Sequence, residues 1–436
     1  MKTPNCSLPI APFIAALSAG LWLGASSHRA GAAEPAVNAT ILHVSPTGND
    51  AHSGESPTQA LKTPAAAVAR ATAGTIVRFD AGSYPPLKIS GKTGTAEKPI
   101  VFEAEPGKER QALFTSGKLE GGTAVQVELS SHVHVRNLCL TNSQKGISFD
   151  SVSHGSMQNN LVQNLGQEAL HVGRLHTFDG SKKFLGPSSE HVLVRGNQVS
   201  GTGKVKAVYG EGIYIGTGAF SGDDTHDIRI EDNTLTDIGA EGMEIKPGTY
   251  NIIIRRNAIS NTHHEYNAAI TVAVEGSQSP NGNYLIEDNL IWQIKKVRHS
   301  VSGIAIGHGN AVIRNNIIWA VEGGIGIRVY ATFASPEALQ VTITNNTVLT
   351  GPGGPKIALH NGTTGGSPSA LKALVRAQNN YADDRSPGTV AAIPGLFHGP
   401  LTGKADAGRG PGSGFQLKTY RNVGADYRRM QQPAAN

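Results

Sequence analysis

Nine asparagines recur through the middle of this chain, at positions 137, 160, 197, 233, 257, 289, 316, 346 and 380, each following a short alternating apolar stretch by two or three residues. That recurrence is a coil repeat. It marks one structural turn per repeat, with loops of unequal length inserted between fixed strands. Inserted loops on a rigid stack are where function concentrates.

The strands that follow align residue by residue. They are KGISFD from Lys145, EALHVG from Glu168, EGIYIG from Glu211, EGMEIK from Glu241, AAITVA from Ala268, SGIAIG from Ser302 and GGIGIR from Gly323. The third and fifth positions are apolar throughout, while the fourth and sixth are small or polar, which is the period-two pattern of a strand with one buried face. Stacked strands of this kind form parallel sheets. A leucine-rich solenoid would need a helix-length stretch in each unit, and these units are too rich in β-branched residues, Asn and Gly for that.

Four segments are expected: an export signal over 1–33, a cap with the first coils over 34–120, the repeat domain over 121–384, and a Gly- and Pro-rich tail over 385–436. The apolar run Pro12 to Ala25 follows Lys2 and leads into Ala30-Gly31-Ala32-Ala33, small residues of the kind that precede a cleavage site. The run is short for a bilayer span, so a secreted or periplasmic monomer with no membrane segment after cleavage is expected. The cap is a helix opened by Thr63 and Pro64 and stopped near Gly74. The two cysteines are Cys6, within the signal, and Cys139, so stability must come from packing and hydrogen bonding rather than a disulfide framework. The formal net charge of +5 favours acidic partners, and nothing in the chain has the zinc-finger spacing, basic helix or aromatic-basic sheet signature of a nucleic-acid binder.

Equivalent positions in successive coils lie about 4.8 Å apart, so the alignment reads directly as columns in space. The first column holds Lys145, Glu168, Glu211 and Glu241, and adjacent carboxylates repel unless a cation relieves them. The fourth places His171 beside Tyr214 and Tyr214 beside Glu244. In the sixth, Lys246 stands among glycines and alanine and Arg328 lies farther along, which predicts open floor on which a polymer could rest. Three long loops flank these rungs, carrying Lys182 and Lys183, Asp223 and Asp224, and His263, His264 and Glu265. Long loops over polar rungs predict a walled groove.

On these repeats and this asparagine column, the chain resembles the right-handed parallel β-helix proteins of the pectate-lyase-like type. The expected fold is all-β, a right-handed parallel β-helix with an N-terminal helical cap. The stretch Glu241-Gly-Met-Glu-Ile-Lys246, followed by Asn251, is similar to the chondroitinase-B and alginate-lyase family of polysaccharide lyases. That resemblance implies Ca²⁺ held by Glu211, Glu241 and Glu244, Lys246 as the base, and an anionic, uronate-containing polysaccharide cleaved by β-elimination. Such a reaction needs the substrate carboxylate neutralised by a cation, and hard carboxylate oxygens suit Ca²⁺. The family's Arg-His-Gly segment is missing from the next coil, where Ala273 stands. The acid is therefore left among His308, His264 and Tyr214, with His171 and Tyr214 as a metal-free pair. Pectate lyases of this fold carry consecutive strand aspartates that are absent here unless Asp223 and Asp224 replace them as ligands. Arg328, Lys182, Lys183 and His264 are the expected substrate contacts. A glycoside hydrolase with paired glutamates, a C5-epimerase and a non-catalytic glycan-binding β-helix are the competing readings.

Overall fold

The computed structural model describes residues 39–177, 183–218, 222–264, 268–274, 282–296, 301–307, 309–322, 325–330, 340–350, 357–360, 375–378, 380–382, 389–390, 397–398 and 416–417. The expected signal at 1–33 lies outside them, as does most of the tail at 385–436. No helix among the described residues is long and apolar enough to cross a membrane.

Three parallel sheets run the length of the stack. The first, of twelve strands, begins at Thr40–Val44 and ends at Val375–Gln378. The second, of ten, runs from Leu87–Ser90 to Ile357–His360, and the third, of twelve, from Gly82–Tyr84 to Thr389–Val390. The chain visits the sheets in rotation, so each strand pairs with the strand one coil before it and the strand one coil after.

The alternation read from the sequence fills the interior. On the second sheet Ile147, Leu170, Ile213, Met243, Ile270, Ile304 and Ile327 form one continuous register column, and all seven are buried. Each such side chain contributes roughly 2 kcal/mol by leaving water. At the first coils Phe79, Tyr84 and Phe114 pack ring on ring with centroids 5.0–5.3 Å apart. The expected helix forms over Pro64–Arg70. The Thr63 hydroxyl accepts from the Ala66 amide at 3.2 Å, and Ala67 is buried where the helix meets strands Thr40–Val44 and Leu87–Ser90.

The asparagine ladder is present, with one correction. From Asn160 to Asn380 each amide oxygen accepts from the backbone N–H of the ladder residue one coil earlier, as in Asn197 N–H to Asn233 Oδ1 at 3.0 Å. Each Nδ2 donates to a buried carbonyl, that of Asn233 to Val194 at 2.9 Å. Asn137 is not a rung. Leu138 holds that position, giving its N–H to Asn160 Oδ1 at 3.0 Å, and Asn137 occupies the preceding left-handed turn position with φ 61°. Asn159, Asp232, Asp288, Asn315 and Asn345 fill the same turn position in later coils, a conformation that short polar side chains tolerate. A polar residue one place early satisfies the turn equally well, which is why the sequence pattern mislocates this rung.

Candidate active site

The second sheet brings the expected residues onto neighbouring coils. The Tyr214 backbone is the register partner of His171 on one side and of Glu244 on the other. The segments Glu168–Leu170, Glu211–Ile213 and Glu241–Met243 follow one another through backbone bonds such as Ala169 N–H to Glu211 O and Gly212 N–H to Glu241 O, both 3.0 Å. As a result Glu211, Glu241 and Glu244 each place a carboxylate oxygen within 4.8 Å of the others, and all three are buried. Burial pushes the Glu211 carboxyl well above its ordinary range, and the charges of Glu244, Glu241 and Glu168 push it further. Three hard oxygen donors that repel one another are a donor set suited to a divalent cation.

The neighbouring carboxylate is neutralised from within the chain. Lys145 Nζ lies 2.6 Å from Glu168 Oε1. Burial alone would lower the Lys145 ammonium, but Glu168 outweighs it and the group is held above its usual value. This lysine opens the same first column, and column reasoning alone did not single it out.

Lys246 Nζ lies 2.5 Å from Glu244 Oε1 and 5.4 Å from the centre of the Tyr214 ring. Glycine at 218 lets the Tyr214 phenol approach, since a Cβ there would collide with its oxygen. Burial raises the Tyr214 hydroxyl well above its ordinary value, with Glu244, Glu211 and Glu168 adding to the shift, so the phenol stays protonated. His171 stacks on Tyr214 with centroids 5.2 Å apart and planes 12° from parallel.

Behind His171 stands Asp150, which the sequence reading did not single out. Its Oδ1 is 3.4 Å from His171 Nε2, and Ser148 donates to its other oxygen. Burial would raise the Asp150 carboxyl, but the bonds from His171 and Ser148 and the charge of Lys145 hold it below the usual carboxylate range. His171 Nδ1 is enclosed, with Glu168 Oε1 4.0 Å away. His171 is therefore wedged between an acid and a phenol, an arrangement that supports Tyr214 from behind.

Several expected placements are corrected. Arg328 does not share the column of Lys246. Ser302 pairs with Ile325 and Ala305 with Arg328, two residues from the expected register, which puts Arg328 in line with Glu244, Thr271 and Ala305. Ile325, Ile327 and Val329 alternate, and a period-two pattern fits a shift of two as well as none. The Arg328 guanidinium donates to the Tyr330 hydroxyl at 2.7 Å. The expected open floor is covered: Thr271, Ala273 and Ala305 are buried, and Ala305 packs with Ala268, Val274 and Tyr330.

Asp223 and Asp224 do not join the glutamates in the metal-competent group. Asp223 is fully buried, accepting from the Thr217 and Thr225 hydroxyls at 2.6 and 2.7 Å and from the Thr225 and Arg174 amides, so its oxygens are consumed in fixing its loop. Asp224 is largely exposed and takes a bond from Ser188. Lys183 is exposed on the loop after Arg174, where its backbone bonds Thr177. In the same loop the Arg174 guanidinium lies 4.3 Å above the Phe184 ring. The backbone of His264 ends a strand of the third sheet, Ala258–His264, opposite Lys296. Lys182, His308 and the His264 side chain lie outside the described residues.

Comparison with known proteins bears on the scaffold. Residues 184–366 match the family described as right handed beta helix region. That match and the three stacked parallel sheets give the chain the right-handed β-helix fold. Solved structures with this β-helix include an alginate lyase from Paenibacillus sp. str. FPU-7, 20% identical, covering 69% of this chain and 97% of that one with a TM-score of 0.51. The pectate lyase Pel9A is 14% identical, covers 88% of each chain and has a TM-score of 0.52. A GH136 lacto-N-biosidase from Eubacterium ramulus is 14% identical, covering 74% of this chain and 67% of that one, with a TM-score of 0.53. At these identities the likeness is one of fold. No curated protein matches the sequence.

Proposed function

We propose that this β-helix is an exported polysaccharide lyase, cleaving a uronate-containing anionic polymer by β-elimination. One observation carries the reading: three buried glutamates from two adjacent coils converge within 4.8 Å, and a lysine amine stands 2.5 Å from one of them. Alginate and pectate lyases with this fold support it. Ca²⁺ held by Glu211, Glu241 and Glu244 would supply the positive charge that makes the proton beside the sugar carboxylate acidic.

The chain's own residues complete the proton balance. Lys246 Nζ releases its own proton to solvent and, as the neutral amine, accepts the C5 proton; the C5–H electron pair forms the C4=C5 double bond and the C4–O bond breaks with its pair on the departing oxygen. The departing oxygen takes its proton from Tyr214, the group that its buried, acidic surroundings keep protonated. Asp150 and His171 hold the phenol in place.

The test is incubation with alginate, pectate, glycosaminoglycans and bacterial exopolysaccharides, with Ca²⁺ and then with chelator, following the ultraviolet absorbance of the unsaturated product. Lys246→Ala should reduce its formation about a thousandfold while leaving the fold intact. Product formed at the wild-type rate by that variant would refute the assignment of the base.

A second reading rests on the same glutamates. Glu211, held protonated, would be the acid and Glu241 or Glu244 the nucleophile of a glycoside hydrolase, with a separation that suits retention of configuration. The fold likeness to a lacto-N-biosidase supports it. New reducing ends without ultraviolet absorbance would decide for this reading.

A further inference from the structure

The loop ahead of Glu211 has apolar surface that packing does not explain. The exposed large hydrophobic residues among the described residues are Leu129, Leu185, Val205, Val208 and Tyr209, so three of the five crowd into five consecutive positions. Scattered exposed apolar residues are ordinary, but a cluster marks a contact surface. Tyr209 is 52% exposed, and Lys206 Nζ lies 5.5 Å from its ring centre.

The loop's base is rigid and its position is specific. The amides of Val205 and Lys206 donate to the Gly166 carbonyl at 3.1 and 3.2 Å, on the turn that leads to Glu168. On the other side, the Gly239 amide donates to the Thr202 hydroxyl at 3.1 Å and the Ala240 amide to the Gly210 carbonyl at 3.2 Å, on the turn that leads to Glu241. The loop is thus stapled across the edge of the glutamate column, with Tyr209 two residues from Glu211.

We infer that Tyr209 and Lys206 form a binding subsite for an acidic sugar unit of the polymer, outside the unit that reacts. A pyranose presents an apolar face of C–H groups that can lie on the Tyr209 ring, and a carboxylate on the same sugar meets the Lys206 ammonium. The Lys206 ammonium already lies 5.5 Å from the centre of that ring, within cation–π reach. This inference takes its ligand class from the polysaccharide reading, but it does not require the elimination chemistry.

The test is affinity electrophoresis of the full chain carrying Lys246→Ala, through gels containing alginate, polygalacturonate or chondroitin sulfate, with a neutral glucan as control. Retardation is expected in at least one acidic polymer and not in the glucan. Adding Tyr209→Ala or Lys206→Ala should weaken apparent affinity about fivefold, Tyr209→Phe should hold it within about twofold, and none should move the melting midpoint. Equal retardation of the Tyr209→Ala protein, no retardation in any acidic polymer, or equal retardation in the glucan would each overturn the subsite. Weakening by Tyr209→Ala in a protein whose wild type never yields unsaturated product would leave the subsite standing and remove the lyase. Unsaturated product from a wild type whose affinity is indifferent to Tyr209 would do the reverse.

Discussion

Burying Glu211 beside Glu241 and Glu244 sets a free-energy cost that depends on pH. Its carboxyl is held above the ordinary value of 4.5, first by burial and then by its acidic neighbours. The folded state therefore binds a proton that the unfolded chain has released. The stability tied to this proton is fully present below the unfolded value and lost as pH rises through the folded one. In chelator, Glu211→Gln should raise the melting temperature at neutral pH, with the gap closing as pH falls towards 4.5. A variant that melts below the wild type at pH 7 in chelator would contradict this account of the site. That Glu211 and Glu241 lie on neighbouring rungs was legible in the sequence because identical strand positions name spatial neighbours, whereas Lys246 was marked out by its spacing from Glu241 in the family resemblance. Lys145 opens the first column and Asp150 ends the same strand, KGISFD, but their roles depend on where side chains reach between rungs, and a column does not record that.

At the scale of the repeating element, two ladders hold the coils together. Asn233 Oδ1 accepts from the backbone and side-chain amides of Asn197, and its Nδ2 serves the Val194 carbonyl and Asn257 Oδ1, all within buried surroundings. Asn233→Ala would strand the Val194 carbonyl and the Asn197 donors, at a cost of about 3 kcal/mol, visible as a lowered midpoint in urea unfolding. A change under about 0.5 kcal/mol would mean that the ladder is not a source of stability. The second ladder is ionic. Along the end of the first sheet the register column runs Arg195, Glu231, Arg255, Glu287, Arg314 in successive coils, with Arg255 2.9 Å from Glu231 and Arg314 2.6 Å from Glu287. The asparagines were legible because buried amides recur at one turn. The charge ladder was not, because alternating signs in separate coils look like ordinary surface charge until the register is known.

For the whole molecule, metal binding and folding should be linked. If Ca²⁺ occupies the three-glutamate site of the folded chain only, stability should rise with its concentration, by about 2.7 kcal/mol at a hundredfold excess over the dissociation constant. Melting curves across a Ca²⁺ titration measure this, and Glu241→Gln should abolish the rise. A melting temperature indifferent to Ca²⁺ would remove the metal from the mechanism while leaving the hydrolase reading intact. The sequence by itself determined the stack of parallel strands, the face of each strand that is buried, and the coils that carry acidic residues, because side-chain period and repeat are properties of the chain. The tertiary structure alone decided that Arg328 aligns with Glu244, that Ala273 and Ala305 are covered, that Asp223 is consumed by its loop, and that Tyr209 stands at the edge of the glutamate column. Each of these depends on the register between coils and the path of loops of unequal length. A pattern of period two leaves the first ambiguous, and no periodicity encodes the second.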